Sequence, residues 1–305
     1  MLLNKIYSKL LFLLLVCTSL YSQDIKTIAF AQDTLANDYR KAQVMEAKEA
    51  AEKHSNINFV YSNANGRTAL LIAQIDRFIK QKVDVLIVGT NDADAVVPVI
   101  KKAHDSGIIV IILDRGINGD DYTTFINSDN IKIGSIGAKY IAKRLKGKGK
   151  VLLFEGLQKA DVTQLRSKGF MDEISKHKGI EVIKRTGNYL RRDAIVEMEK
   201  LLSDGIKVDA IFSESDSMVS GARSALLRHK IDPASIITVG CDYTSEAREA
   251  IRKGTQTGSV LFPLGGDDSI DVAIKVMSGK KVKKHIVIPV KLVTKDNVEI
   301  VKPVF

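Results

Sequence analysis

Hydrophobic and polar positions follow two rhythms along this chain. Short runs are apolar at every position, as in Ile108-Ile109-Val110-Ile111-Ile112-Leu113, and between them lie stretches whose apolar residues recur every three or four positions. A strand apolar on successive residues is buried on both faces, which predicts a parallel sheet covered by helices. The wider spacing, as in Val44, Ala47, Ala50 and Ala51, predicts helices with one apolar stripe. Strands are predicted at 27–31, 57–61, 83–88 and 108–113, with helices over 37–54, 68–81 and 93–104 between them. After a short strand at 123–126 the alternation restarts, with helices over 131–145, 162–177, 193–202, 218–229 and 245–252. They alternate with strands at 151–154, 181–184, 209–212, 236–239 and 258–261.

The pattern is α/β, with two doubly wound Rossmann-like lobes of similar size. A last helix at 269–277 and strands at 285–288 and 291–294 find a place if the chain crosses back between the lobes, which predicts a multi-strand hinge. The expected division is a first lobe of residues 24–128 plus 263–290 and a second of 129–262 plus 291–305.

Composition narrows the class. The chain has 305 residues, 45% hydrophobic and 27% charged, which is globular and excludes disorder. Lys5 and Lys9, an apolar stretch over 10–16, and then Thr18, Ser19 and Ser22 have the layout of a secretory signal peptide over residues 1–22. The stretch is too short to span a bilayer. The expected location is therefore the periplasm. Leu14-Leu15-Val16-Cys17 resembles a lipoprotein site, so a lipid anchor at Cys17 is the second route. Removal of the leader leaves Cys241 alone, and no intrachain disulfide can form. The formal charge of +10, less Lys5 and Lys9, becomes +8, but its lysines are dispersed over turns and helix ends. Together with export, that dispersal argues against a nucleic-acid partner.

Candidate chemistry points to binding. The five histidines lie mostly beside lysines at helix ends, with none at metal-ligand spacing from another, and no GxSxG, HExxH or GxxxxGK[ST] occurs. Neither an enzyme nor a metal or cofactor site is expected. The pairs Gly134/Gly137 and Gly265/Gly266 lack a phosphate-loop frame, so packing or turn roles account for them.

Parallel sheets bind ligands beyond the carboxyl ends of their strands. Asp114 and Arg115 follow one such end, Asp242 follows another, and Asp216 comes shortly after Phe212. Arg166 sits in the first turns of a predicted helix. Arg40 opens another helix, where a cation does not complement the dipole and an acidic partner or a ligand explains it better. Each has a plain alternative: Asp216 as an N-cap, Asp114 and Asp242 as loop starts, Arg166 as a solvated helix residue. Recurrence at several strand ends favours a binding rim.

Leu113-Asp114-Arg115, Asn127-Ser128-Asp129-Asn130, Arg166-Ser167-Lys168-Gly169-Phe170, Ser215-Asp216-Ser217-Met218 and Val239-Gly240-Cys241-Asp242 occur in a telling order. In order and approximate spacing they resemble the type I periplasmic sugar-binding proteins, the ribose- and galactofuranose-binding members in particular, over residues 25–295. The resemblance implies two lobes closing on a small sugar and no cofactor. It also implies a partner in the membrane: the permease of an ABC transporter or, alternatively, a sensor histidine kinase or chemoreceptor. A monomer is expected.

Carried over, Asp114 with Arg115 and Asp242 with Arg166 are the acceptor and donor pairs for sugar hydroxyls, and Tyr39 and Tyr189 are stacking faces. Three positions depart from the ribose-binding pattern: Arg40 for an aromatic, Ser215 for an Asn and Phe262 for a Gln. Three arginines against two aspartates leave the expected pocket one charge positive, which extends the candidate ligands to furanoses, polyols and acids.

Overall fold

The computed structural model describes residues 24–305, so the leader and Cys17 lie outside the described residues. No helix among the described residues is long and apolar enough to cross a membrane. The first five strands are β1 (Lys26–Gln32), β2 (Ile57–Asn63), β3 (Val85–Gly89), β4 (Ile109–Leu113) and β5 (Thr124–Ser128). The next five are β6 (Lys148–Glu155), β7 (Gly179–Thr186), β8 (Ala210–Ser213), β9 (Ile237–Asp242) and β10 (Gly258–Leu261), followed by β11 (His285–Ile288) and β12 (Lys291–Thr294). They form two six-stranded sheets, ordered β11-β5-β4-β3-β1-β2 and β12-β10-β9-β8-β6-β7. Every pairing is parallel except that of β12, which runs antiparallel to β10.

The helices are α1 (Asp38–Glu52), α2 (Thr68–Lys80), α3 (Val97–Asp105), α4 (Asn130–Arg144) and α5 (Asp161–Ile174). They continue with α6 (Arg191–Ser203), α7 (Asp216–Arg228), α8 (Ser245–Lys253) and α9 (Gly266–Met277). Successive strand residues serve opposite faces. Ile28, Phe30, Ile87 and Ile111 pack with Val44 of α1 and Ile270 of α9, while Ala29, Leu86, Val110 and Ile112 pack with Leu71 and Ile75 of α2 and Ile100 of α3. In the second lobe Leu153, Phe212 and Val239 meet Ile141 and Phe170 of α4 and α5, and Leu152 and Ile211 meet Met198 and Ala222 of α6 and α7. Burying such a side chain contributes about 1.5–3 kcal/mol, which explains why the all-apolar runs fix both sheets.

Some boundaries differ from the sequence expectation. The helix expected to begin at 93 begins at Val97, because the Asp92 carboxylate accepts from the backbone N–H groups of Asp94 and Ala95 at 3.3 and 3.1 Å and holds a turn there. Strands β6 and β7 are longer than their apolar cores, because they pair with each other along their full lengths.

One close approach positions the site. A Cβ on Gly169 of α5 would lie 2.0 Å from the Ile131 carbonyl oxygen, and one on Gly134 of α4 would lie 2.0 Å from that of Arg166. The two helices cross in backbone contact, and the contact falls beside Arg166. Gly169→Ala is expected to lower the unfolding free energy by about 1–3 kcal/mol, since backbone rather than a pliable side chain must yield. Urea denaturation followed by circular dichroism measures it.

Candidate functional site

The carboxyl ends of the two sheets face each other, and the strand-end aspartates occupy matching positions. Asp114 follows β4 with φ 64° and Asp242 ends β9 with φ 100°, so both adopt left-handed backbone that side chains normally avoid. Between the sheets lies a narrow cavity of only about 20 Å³, well below the size of an open ligand pocket. It is lined by Tyr39, Arg40, Asp114, Arg115, Arg166, Tyr189, Ser215, Asp242 and Phe262, so nine of the ten residues singled out in the sequence come together, and Asp216 lies outside the lining. Asn37 and Val162 also line it and were not singled out. Asn37 is the N-cap of α1, accepting from the Arg40 N–H at 3.1 Å, and only its place at a helix start could have signalled it.

In the first lobe the arginines are paired. Arg40 is 1% exposed; its Nη2 lies 2.8 Å from the Asp114 carboxylate, and its Nη1 donates to Gln43 at 2.9 Å. This is the acidic partner that its place at a helix start called for. Although burial works against the charged form, Asp114 and then Asp33 hold the Arg40 pKa above its ordinary value. Arg115 donates to Asp33 at 2.9 Å and lies over the Tyr189 ring at 5.3 Å. Sequence reasoning missed Asp33, and with it the charge balance. With Asp33 counted, the two arginines of the first lobe meet two aspartates.

The aromatic residues form walls and hinge at once. Tyr39 packs on Phe262 with centroids 5.0 Å apart and donates its hydroxyl to the Pro263 carbonyl at 2.8 Å, close to where the chain passes between the lobes. Phe262 lies 4.4 Å beneath the Arg166 guanidinium, a cation–π contact. Arg166 also donates to Asn130 Oδ1 and to the Glu214 carbonyl, both at 2.8 Å. The Tyr189 hydroxyl lies 2.7 Å from that of Thr163 and 3.3 Å from the Glu214 carboxylate.

Asp216 is not the N-cap of α7. Ser215 caps it, accepting from the Met218 N–H at 3.3 Å, while Asp216 is buried and accepts from Gln256, Ser259 and the Tyr243 N–H at 2.7, 2.7 and 2.8 Å. Asp216 therefore fixes the turn that follows Asp242 at the end of β9. Burial, and then the neighbouring Asp216, push Asp242 well above the usual carboxyl range. Behind the cavity the Ser167 hydroxyl lies 2.7 Å from Glu155 and 2.9 Å from Glu214. Its single proton can serve only one of them.

Burial raises Glu214 to about 7 and Asp216 to about 6. Unfolded carboxyls titrate near ~4, so folding takes up protons in this range. The stability these groups contribute is complete below about pH 4 and is lost as pH rises through 6 and 7. Urea midpoints should fall from pH 5 to pH 8, and Glu214→Gln, which mimics the protonated acid, should flatten that fall. An unchanged slope would remove Glu214 from this account.

The lobes are closed on each other. Asn37 donates to the Tyr189 carbonyl at 2.9 Å, the Gly116 N–H to Asp161 at 2.9 Å and Ser217 to Asp38 at 3.0 Å. A larger groove of about 720 Å³, beside Lys26, Asp84 and Met277, is open to solvent at the opposite ends of the first-sheet strands, away from these convergent charges. Known proteins share this fold. The chain is 28% identical to the ribose import binding protein of Salmonella typhimurium, covering 88% of this chain and 91% of that one. It superposes on a solute-binding protein of Bacillus halodurans solved with bound myo-inositol, with TM-score 0.86, 29% identity, and 92% and 98% of the two chains covered. It also superposes on the fructose-binding periplasmic domain of a hybrid two-component system, with TM-score 0.85, 27% identity, and 90% and 92% covered. Residues 28–281 match the family model described as the periplasmic binding protein domain, and the chain belongs to that family.

Proposed function

We propose that this chain is an exported, non-enzymatic solute-binding protein that captures a small sugar or sugar-like polyol between its lobes and delivers it to the permease of an ABC transporter. The observation that carries this is the convergence of nine residues from both lobes on one small, closed, polar cavity. Guanidinium and carboxylate groups supply the donors and acceptors that vicinal hydroxyls need, and Tyr39, Tyr189 and Phe262 supply faces for C–H surfaces. The working division is a first lobe of 24–128 plus 263–290 and a second of 129–262 plus 291–305. The leader-like residues 1–22 support a periplasmic location, with a lipid anchor at Cys17 as the second route.

Function follows from linkage. A ligand touching both lobes binds the closed form more tightly than the open one and so shifts the population toward closure, which a membrane partner can read. The likeness to a periplasmic domain of a hybrid two-component system favours one second reading, a ligand sensor of the same fold. Binding is common to both, and a reconstituted permease that takes up ligand only with this chain present would select transport.

A thermal-shift screen against pentoses, hexoses, furanoses, polyols and sugar acids should reveal one class that raises the melting temperature by mass action. Against the best ligand, Arg166→Ala should cost about 2–5 kcal/mol of binding, roughly 30-fold or more, with the fold retained. Calorimetry showing unchanged affinity would remove Arg166 from the site.

A further inference from the structure

Asp33 follows β1 and does not line the cavity, yet it touches both arginines that form the cavity's first-lobe side. Its Oδ2 lies 2.9 Å from Arg115 Nη1, and its Oδ1 lies 3.9 Å from Arg40 Nε. The carboxylate is 1% exposed, and Oδ1 has no hydrogen-bond partner, nor has the Nε of Arg115. Asp33 is therefore placed for charge more than for saturated hydrogen bonding. Its backbone is fixed, with its N–H donating to the Gly89 carbonyl at 3.0 Å and its own carbonyl accepting from the Gly66 N–H at 2.8 Å.

Two guanidiniums side by side in a buried half-site repel each other and attract any anion. Burial first, and then Arg40, depress the Arg115 pKa, while Asp33 opposes the shift. With Asp114 on Arg40 at 2.8 Å and Asp33 on Arg115, this half contains two cations and two anions. An anionic ligand would find no guanidinium there without a carboxylate and would face two carboxylates, a repulsive element that discriminates among ligands. Across the cleft, Arg166 donates to Asn130 and to the Glu214 backbone carbonyl, with Asp242 also within its field.

We propose that Asp33 is a positioning and specificity-determining residue: it neutralises the paired arginines of the first lobe, so that the cleft accepts uncharged polyhydroxyl ligands and rejects sugar acids and sugar phosphates. This deepens the sugar-binding reading and rests on it. Asp33 acts through Arg40 and Arg115, holding their guanidiniums for hydroxyl groups.

The test is calorimetry of the wild-type protein and of Asp33→Asn with ribose, fructose, galactose and myo-inositol, and with galacturonate, gluconate and ribose 5-phosphate. Circular dichroism checks folding. The wild type is expected to prefer its best neutral ligand over every acid or phosphate by about 100-fold or more, and Asp33→Asn to narrow that ratio by about 10-fold or more. A merely structural role would weaken both classes alike and leave the ratio unmoved, which overturns the proposal. So does a wild type that binds an acid or phosphate as tightly as a neutral sugar, a comparison that decides even if the variant fails to fold. No binding of any compound by the wild type overturns the sugar-binding reading together with this one, whereas neutral binding with an unmoved ratio overturns only the role of Asp33.

Discussion

Three guanidinium groups lie almost wholly out of water between the two sheets, and the arrangement around them follows from their need for compensation. An unpaired buried charge costs several kcal/mol even after relaxation. The pairing is solved mostly within each lobe. Arg40 and Arg115 meet Asp114 and Asp33, all from the first lobe, while Arg166 meets Asn130 and the Glu214 carbonyl of the second. The bonds between lobes lie outside this pairing: a side-chain amide on a carbonyl, a backbone N–H on Asp161, a hydroxyl on Asp38, and the ion pairs of Lys159 with Asp92 at 3.5 Å and Arg191 with Asp38 at 3.9 Å. Opening the cleft leaves each guanidinium with its partner and returns the separated groups to water.

The hinge works under a different constraint, packing. Tyr39 belongs to the first helix of the first lobe but is buried with Phe262 and Leu264 in a cluster dominated by the second sheet. Its ring also meets Phe305 edge-on at 6.2 Å, which ties the end of the chain to the same junction. A wall of the cavity is thus also part of the junction between the lobes. The glycine contact between α4 and α5 places Arg166 in turn, fixing the spacing of its helix from α4 by backbone contact.

Much of this was legible in the sequence because it obeys local rules. Runs apolar at every position mark parallel strands, parallel strands place ligands at their carboxyl ends, and a charge directly after such a run stands out; Asp114, Arg115 and Asp242 were found that way. Arg40 was legible as a cation at the wrong end of a helix. Asp33 was not, because Gln32-Asp33-Thr34 reads as an ordinary loop start, and its meaning depends on an arginine 82 residues away. Asp216 was misread for a related reason. Ser215 and Asp216 are both good caps in sequence, and only the donors converging from Tyr243, Gln256 and Ser259 show which one serves the neighbouring loop.

The two lobes reach the same solution without a visible sequence repeat. β4 and β9 hold the third place in sheet orders that correspond strand for strand, and each leads to an aspartate in left-handed backbone. Such a conformation costs of order 1–3 kcal/mol and persists only where the surroundings dictate it. In the first lobe Asp114 is held by its own N–H bond to the Ile126 carbonyl at 2.7 Å and by Arg40; in the second, the turn after Asp242 is held by Asp216 on the N–H groups of Tyr243 and Thr244. Different residues enforce one geometry at equivalent strand ends. What the two halves share is therefore the position of a carboxylate at the cleft, and what distinguishes them is the means of holding it there.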